Sequence, residues 1–243
     1  MKVLVVGSSS GCGLEVAKLL AASEEFEVFA LVRNLERATK ALDSTSDKVK
    51  FVLGDVTKPE TLAPACEGMD GVVCTIGARA GWKLPGSVME DTPKFVDYLG
   101  VKHLAEAAAS AKVPKFVLVS SMGVTRPYSP ISLILNAVKG RVLVWKLKGE
   151  AAVKEAYSQH EELGYFIIRP GGLLNKEGGQ YKVIAEQGDK GLGTIARKDV
   201  ALIAQACLQG LCPQSNVTFE IINGKSKPPT DLKEVLAHLK PDK

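Results

Sequence analysis

A glycine-rich turn near the start of the chain constrains its fold more than any other stretch. An apolar segment at residues 2–6 leads directly into Gly7-Ser8-Ser9-Ser10-Gly11-Cys12-Gly13. Apolar residues then recur with a helical period, at Leu14, Ala17, Leu20 and Ala21. A strand, a glycine-rich turn and a helix in this order are typical of a dinucleotide-binding unit.

The three glycines of this turn have different expected roles. Gly7 permits the tight turn out of the strand, Gly11 lets the backbone approach a pyrophosphate, and Gly13 lets the helix pack closely on the strand. The helix N-terminus then offers unpaired N–H groups and the positive end of its dipole to the phosphates. A plain βα turn has a similar sequence, so the other strand ends must decide between the two interpretations.

The composition is that of an ordinary globular protein. The 243 residues are 46% hydrophobic and 24% charged, and the net charge of +4 is spread along the chain, which argues against nucleic acid as the main partner. Five cysteines without Cys-x-x-Cys spacing and three isolated histidines predict neither a metal site nor a disulfide framework. No apolar run approaches the ~20 residues of a membrane span. The first strand begins at residue 2, which leaves no room for a signal or transit peptide, and a trimmed precursor is the open alternative. The cysteines fit a reducing setting, and we expect a cytoplasmic protein.

The second predicted strand, residues 26–33, ends at Arg33. This position lies 20 residues after Gly13, where an acidic residue binds the ribose of NAD and an arginine accommodates the 2′-phosphate of NADP. Asn34 follows directly, and Arg37 lies one turn further on. The alternative is a solvated arginine at a strand end; we predict NADP(H) as the cofactor.

Three more predicted strands end in polar or small residues. Residues 49–56 end near Asp55, which either caps the next turn or meets an adenine amine. Residues 71–77 end in small residues that allow a ribose to pass close to the backbone. Residues 115–123 end near Ser120-Ser121.

Successive strand–helix units predict an α/β fold, a Rossmann-type doubly wound, mainly parallel sheet with helices on both faces. Ligands of such sheets bind beyond the carboxyl ends of the strands. The glycine turn, Arg33, Asp55, Gly77 and the two serines all fall at such ends. Their convergence on one edge favours a binding site over a set of unrelated turns.

Eight short stretches carry a resemblance to a known family. They are Gly7–Gly13, Leu31–Arg33, Gly54–Val56, Val96–Tyr98, Phe116–Gly123, Lys148–Glu150, Ile167–Gly172 and Thr194–Val200. Together they resemble the short-chain dehydrogenase/reductase superfamily, specifically its atypical, NAD(P)-binding, NmrA-like branch. We expect residues 1–243 to form one such domain, with a small substrate-side lobe from about 124–143 and 173–243.

The resemblance implies a role toward the cofactor for each stretch. Arg33 would hold the 2′-phosphate, Lys148 would hold the nicotinamide-ribose hydroxyls, and Ser121 would lie beside the nicotinamide as a hydrogen-bond donor. The other implied cofactor residues are Gly7, Ser8, Ser9, Ser10, Gly11, Cys12 and Gly13 around the pyrophosphate, Asp55 and Val56 at the adenine, Cys74, Thr75, Ile76 and Gly77 at the ribose, Ser120 at the nicotinamide, and Pro170, Gly171 and Gly172 over its ring.

The chain departs from the family at the catalytic tyrosine. Dehydrogenases of this superfamily use Tyr-x-x-x-Lys, in which the tyrosine hydroxyl gives a proton to the carbonyl oxygen. The residue four positions before Lys148 is Val144, which has no exchangeable proton. Tyr128 and Tyr157 lie nearby in the sequence without the required spacing, and Ser121 alone is a poor acid.

Two segments of the second half have open interpretations. Residues 124–143 contain apolar residues that suit either a roof over a flat hydrophobic substrate or core packing. Residues 175–193 contain five glycines and form either a lid or an exposed loop.

These features predict an NADPH-dependent reductase whose partner is a small-molecule hydride acceptor, such as a quinone, a flavin or a conjugated enone. Such acceptors need little or no acid from the protein, because solvent can supply the proton, while Lys148 and Ser121 would position nicotinamide and substrate. The alternative is a non-catalytic NADP-binding sensor or regulatory protein, which the missing tyrosine would permit. No feature of the sequence predicts an oligomeric state.

Overall fold

A computed structural model of the chain describes residues 1–78, 91–189, 191–226 and 231–242. Its strands and helices are β1 (Lys2–Val6), α1 (Gly11–Ala21), β2 (Glu27–Val32), α2 (Leu35–Leu42), β3 (Val49–Leu53), α3 (Leu62–Cys66), β4 (Gly71–Cys74), α4 (Val101–Ser110), β5 (Lys115–Val119), α5 (Pro130–Val138), α6 (Val142–Ser158), β6 (Gly164–Pro170), β7 (Gly172–Leu174), β8 (Val183–Glu186), β9 (Thr194–Ala196), α7 (Arg197–Leu208), β10 (Val217–Asn223) and α8 (Leu232–Leu236). A π-helical segment, Lys94–Gly100, runs directly into α4.

Eight strands of the described residues form one sheet in the order β3-β2-β1-β4-β5-β6-β10-β8. Neighbouring strands are parallel except β10 and β8, which are antiparallel. β7 and β9 form a separate parallel pair. The strand order reverses between β1 and β4, which is where such sheets open a crevice for ligands. The predicted doubly wound, mainly parallel α/β fold is confirmed.

Helices cover both faces of this sheet, and each face has its own apolar core. Val3 and Val5 face the layer that contains α1 and α7, whereas Leu4 and Val6 face the layer that contains α4 and α6. All four side chains are buried. Burial on both faces explains why the central strands are apolar throughout instead of alternating with polar residues.

The strand boundaries bring the predicted strand-end residues to one edge of the sheet. β1 ends just before Gly7, β2 before Arg33, β4 before Thr75 and β5 before Ser120. Because these strands are parallel, their carboxyl ends lie on the same edge. The expected convergence is therefore present, and the crevice beside β1 is the place to look for a site.

The described residues contain neither a membrane helix nor a metal cluster. No helix in this part of the chain is both long and apolar enough to cross a membrane. No group of three or more His, Cys, Asp or Glu residues there could hold a metal ion. Cys12, Cys66, Cys74, Cys207 and Cys212 are all buried and free.

Candidate functional site

The glycine turn between β1 and α1 leaves no space for side chains at two of its glycines. Gly7 has a φ of +99°, and a Cβ on it would lie 2.7 Å from Thr75 Oγ1. A Cβ on Gly13 would lie 2.4 Å from the Gly7 carbonyl oxygen, so the first turn of α1 packs directly on the end of β1. Gly11, with a φ of +60°, is more open, because the nearest atom to such a Cβ is Arg197 Nε at 3.9 Å.

The N-terminus of α1 has no side-chain cap. Ser10 occupies the N-cap position with an extended backbone, but its hydroxyl makes no capping hydrogen bond. The Ser8 hydroxyl is buried and has no hydrogen-bond partner among the described residues. Uncapped N–H groups, the positive end of the helix dipole and an unsatisfied hydroxyl are the groups that a pyrophosphate would satisfy.

Arg33 follows β2, and 54% of its side-chain surface is exposed. Its Nη1 donates to Asp91 Oδ1 at 2.8 Å and lies 3.7 Å from Asp55 Oδ2. Asn34 caps α2, since its side-chain oxygen accepts from the Arg37 N–H at 2.8 Å. The exposed guanidinium can still reach an anion, although two carboxylates share its charge.

Asp55 caps the turn after β3, which is one of its two predicted roles. Its Oδ1 accepts from the Thr57 N–H at 3.0 Å and from Thr57 Oγ1 at 2.9 Å. Val56 is buried in the core that contains α4. The contacts of both residues with an adenine stay predictions.

Cys74 and Thr75 pack the segment after β4 against β1. Cys74 is buried, and burial raises the pKa of its thiol to about 12. Thr75 donates to the Val6 carbonyl oxygen from its N–H at 2.9 Å and from its Oγ1 at 3.0 Å. This double contact holds Thr75 against the glycine turn.

The segment after β4 also holds a buried ion pair. Lys146, on α6, places its Nζ 2.8 Å from Asp97 Oδ1 and 3.3 Å from the Ile76 carbonyl oxygen. The other carboxylate oxygen of Asp97 accepts from the Ala78 N–H at 2.9 Å. Burial alone would lower the pKa of Lys146, but the charge and hydrogen bond of Asp97 outweigh it, so the pKa is raised. Gly77 lies beside the pair, since a Cβ on it would be 3.8 Å from Lys146 Nζ.

The lysine implicated by the family resemblance, Lys148, contacts a different surface. It is exposed, and its Nζ lies 5.1 Å from the ring centre of Trp145 and 5.7 Å from that of Tyr98. Residues two apart on a helix do not share a face, so the structure brings Lys146 and not Lys148 to the segment after β4. The sequence contained no signal for Lys146, because the residue four positions along the same helix face is Glu150, whose burial only the structure shows.

A buried ion network lies under the ends of β5 and β6. Glu150 accepts a hydrogen bond from Ser120 Oγ, and Arg169 donates to it from Nε at 3.0 Å and from Nη2 at 2.7 Å. Arg169 Nη1 also donates to Glu220 at 3.0 Å, and Glu220 accepts from the Asp189 N–H at 2.9 Å. Burial raises the pKa of Glu220, and the last two contacts offset only part of that rise. The network ties Ser120 to α6, β6 and β10.

The proton donor that the family tyrosine would supply has no direct replacement at its position. Counted from Lys146, that position is Val142. Tyr157 is excluded because it is buried in the core, where its hydroxyl donates to the Val113 carbonyl oxygen at 3.2 Å. Tyr128 faces solvent, and Ser121 Oγ donates to the neighbouring Met122 carbonyl oxygen at 3.1 Å.

Backbone contacts hold the residues at the end of β6. The Pro170 carbonyl oxygen accepts from the Met122 N–H at 3.0 Å, and the Gly172 N–H donates to the Gly193 carbonyl oxygen at 2.9 Å. A Cβ on Gly171 would lie 2.4 Å from the same oxygen of Gly193. The end of β6 is therefore joined to the loop after β5 and to the residues before β9.

The segment between β7 and β9 is fastened near both of its ends. Asp199, on α7, accepts from the Gly179 N–H at 2.7 Å. Asp189 accepts from the Gly123 N–H at 2.7 Å and from Thr125 Oγ1 at 2.7 Å. Burial alone would raise the pKa of Asp189, but these hydrogen bonds lower it. Such contacts favour a fixed loop over the alternative of a lid.

Three apolar residues of α5 lie outside the core. Leu133, Ile134 and Val138 are all more than half exposed. Core packing, one of the two interpretations of residues 124–143, therefore does not account for these three side chains. The other interpretation, a roof over a substrate, stays a prediction.

Comparison with known proteins identifies the family. A family model described as NAD(P)H-binding matches residues 7–210. The chain belongs to this NAD(P)H-binding family. The match spans the glycine turn, the end of β2, the ion pair of Lys146 and, from the buried network, Glu150 and Arg169; Glu220 lies beyond it. It confirms the resemblance to atypical short-chain dehydrogenases/reductases and a nicotinamide cofactor as the ligand class.

Three relatives illustrate the range of this NAD(P)H-binding family. The chain is 34% identical to a chloroplastic protein of Arabidopsis thaliana, with 94% of this chain and 70% of the relative covered. It is 32% identical to sanguinarine reductase of Eschscholzia californica, with 87% and 84% covered. Its fold matches that of an oxidoreductase of Lactococcus lactis with a TM-score of 0.73 and 24% identity, covering 97% of this chain and 95% of that one. Since one relative is chloroplastic, the cytoplasmic location stays a prediction.

Proposed function

We propose that the chain is an NADPH-dependent reductase that transfers hydride to a small apolar electrophile, such as a quinone, a flavin or a conjugated enone. The observation that carries this proposal is the largely buried Lys146, which Asp97 holds against the segment after β4 in an NAD(P)H-binding fold. A protein that only binds the adenosine half of a cofactor has less need of a cation held there by a buried carboxylate.

Different residues at the carboxyl edge would bind different parts of the cofactor. The N–H groups of α1, the open backbone at Gly11 and the Ser8 hydroxyl suit the pyrophosphate. Arg33 suits the 2′-phosphate of NADPH, which is why we propose NADP in preference to NAD. The segment Cys74–Gly77 would line a ribose, and residues Pro170–Gly172 would lie over the nicotinamide.

We assign to Lys146 the role that the family resemblance implies for Lys148, because Lys146 and not Lys148 lies against the segment after β4. Its ammonium already contacts the Ile76 carbonyl oxygen, and its raised pKa keeps it charged throughout the neutral range. It can therefore donate hydrogen bonds to the ribose hydroxyls next to the nicotinamide. Asp97 orients the ammonium and compensates its charge.

When bound, the reduced nicotinamide would supply the hydride, and the accompanying proton would have to come from a source other than a tyrosine of this chain. Val142 at the family's tyrosine position cannot give a proton. Acceptors whose reduced form takes its proton from water therefore suit the site better than simple ketones. Ser121 would contribute a hydrogen bond to the developing negative charge, and α5 with its exposed apolar residues would contact the acceptor.

The test is oxidation of NADPH, followed by its absorbance, with the purified protein and a panel of quinones, flavins and enones. We expect turnover with at least one of them, a loss of about 100-fold in Lys146→Ala because the nicotinamide is no longer positioned, and a much smaller change in Lys148→Ala. The reverse pattern would return the role to Lys148. Binding of NADPH without turnover of any acceptor would instead favour the non-catalytic sensor.

A further inference from the structure

Arg197, the first residue of α7, brings a guanidinium group to the glycine turn. Its Nε is the nearest atom to the position that a Cβ would take on Gly11, at 3.9 Å. Gly11 is also the first residue of α1, so the guanidinium lies beside the uncapped N-terminus of that helix. The residue comes from the second half of the chain, more than 180 positions after the turn that it approaches.

The charge of Arg197 is not balanced by a carboxylate in the described part of the chain. Its Nη1 donates to Asn175 Oδ1 at 2.6 Å, and this partner is neutral. By contrast, Arg33, Arg126 and Arg169 each contact an aspartate or glutamate. A cation at the start of a helix is also disfavoured by the helix dipole, so Arg197 lacks the compensation that a structural arginine usually has.

A cavity of ≈ 410 Å³ lies beside this guanidinium. Arg197, Asn175, Lys198 and Glu15 are among the residues that line it. Lys198 is engaged by Glu177, whose Oε2 lies 2.6 Å from its Nζ. Among the described residues the neighbouring Arg197 has no such partner, and the Asn175 amide accepts its hydrogen bond.

Two cations from different elements act on the first turn of α1. Burial, with a smaller contribution from the charge of Glu15, raises the pKa of Cys12 to about 11, and the charges of Arg197 and Lys146 oppose that rise. Cys12 is the second residue of α1, between Gly11 and Gly13. Arg197 and Lys146 therefore add positive charge near this N-terminus, and Glu15 offsets part of it.

We propose that Arg197 is a binding residue for the pyrophosphate of the cofactor, positioned by Asn175. This role rests on the cofactor site proposed above, and it adds to that site a positively charged side chain that the glycine turn does not supply. A guanidinium donates two parallel hydrogen bonds to phosphate oxygens, and a phosphate would provide the missing counter-charge. Because the pyrophosphate is common to NADPH and NADH, Arg197 would strengthen the binding of both, whereas Arg33 would act on NADPH alone.

The test is the titration of the purified full-length protein with NADPH and with NADH, using calorimetry or the fluorescence of the reduced nicotinamide. Arg197→Ala should raise both dissociation constants about tenfold, the effect of losing a charged hydrogen bond. The dissociation constants of Arg197→Lys should lie between those of the wild type and Arg197→Ala, because lysine keeps the charge but cannot donate two parallel hydrogen bonds. Lys198→Ala is the matched control and should stay within about twofold. Added salt should weaken binding by the wild type more than by Arg197→Ala.

Each alternative outcome has a distinct meaning. If the wild type binds either cofactor and Arg197→Ala binds it equally well, the role of Arg197 is overturned and the proposed function stays intact. An effect on NADPH alone would also overturn it, because the contact would then be to the 2′-phosphate. Wild type that binds neither cofactor would overturn both proposals. Circular dichroism and a thermal melt of each variant separate loss of binding from loss of folding. Asn175→Ala tests the same contact without removing the charge, and we expect it to weaken the binding of both cofactors severalfold.

Discussion

Lys146 and Asp97 form a buried ion pair, with Nζ 2.8 Å from Oδ1, that joins α6 to the π-helical segment before α4. The same carboxylate accepts from the Ala78 N–H, so one aspartate fixes both the ammonium and the backbone that follows β4. π-Helical turns are rare and are frequently found at functional sites. Here the turn contains Asp97, whose carboxylate lies beside Gly77.

Asp97→Asn should destabilise the protein and make cofactor binding sensitive to alkaline pH. It leaves a buried ammonium without its counter-ion, and breaking such a pair costs about 3–5 kcal/mol. In the wild type the pKa of Lys146 lies above its ordinary value of 10.5, so the stability that the pair contributes is fully present below that pH and is lost as pH rises through the raised value. Without Asp97, burial would lower the pKa of Lys146, so rising pH should relieve part of the destabilisation as the buried ammonium loses its proton, while NADPH binding should weaken over the same range.

Urea denaturation between pH 7 and 11, with NADPH titrations over the same range, measures both effects. An Asp97→Asn protein with wild-type stability and a wild-type pH profile would contradict the role given to the pair. Lys102→Ala provides a control, because the ion pair of Lys102 with Glu106 is exposed and should contribute little.

The sequence was sufficient to predict the fold and the edge on which the site lies. Strand composition, the glycine turn and Arg33 are local signals, and each depends on residues that are neighbours in the chain. The choice between Lys146 and Lys148 was different, because both lie on one helix and only the packing of α6 decides which of them faces inward.

The buried network and the role of Arg197 required the folded chain. Arg169 meets Glu150 and Glu220 across separations of 19 and 51 residues. No periodicity or motif links such positions, and a glutamate in a strand or helix usually lies on the surface. Arg197 likewise approaches Gly11 only because α1 and α7 cover the same face of the sheet.

Arg33→Ala should weaken the binding of NADPH much more than that of NADH. The lost contact is a charged one to the 2′-phosphate, which NADH does not have, so we expect about a tenfold or larger rise in the dissociation constant for NADPH. The change for NADH should stay within about twofold. Titration of both cofactors measures this, and an equal weakening would exclude Arg33 from the 2′-phosphate.

Asp91→Asn provides the complementary change at the same arginine. Asp91 Oδ1 accepts from Arg33 Nη1 at 2.8 Å, so the carboxylate competes with any phosphate for that guanidinium. Removing its charge should strengthen NADPH binding severalfold and leave NADH almost unchanged. Weaker NADPH binding in this variant would indicate that Asp91 is needed to orient Arg33.

Gly11→Ala and Gly13→Ala should fail in different ways, because the two glycines serve different purposes. A Cβ on Gly13 would lie 2.4 Å from the Gly7 carbonyl oxygen, so α1 cannot keep its position on β1 and the folded protein should be lost. A Cβ on Gly11 meets nothing closer than 3.9 Å, and the cost is that of a positive φ, about 1–2 kcal/mol. Gly11→Ala should therefore fold with a lower melting temperature and bind both cofactors weakly, since the methyl group occupies the approach to the backbone. Gly68→Ala is the matched control, because Gly68 has a φ of +66° with nothing within 4 Å of its Cβ position. Gly68→Ala should lose the same amount of stability and bind both cofactors as the wild type does. If Gly11→Ala binds them as well as Gly68→Ala does, Gly11 does not contact the pyrophosphate.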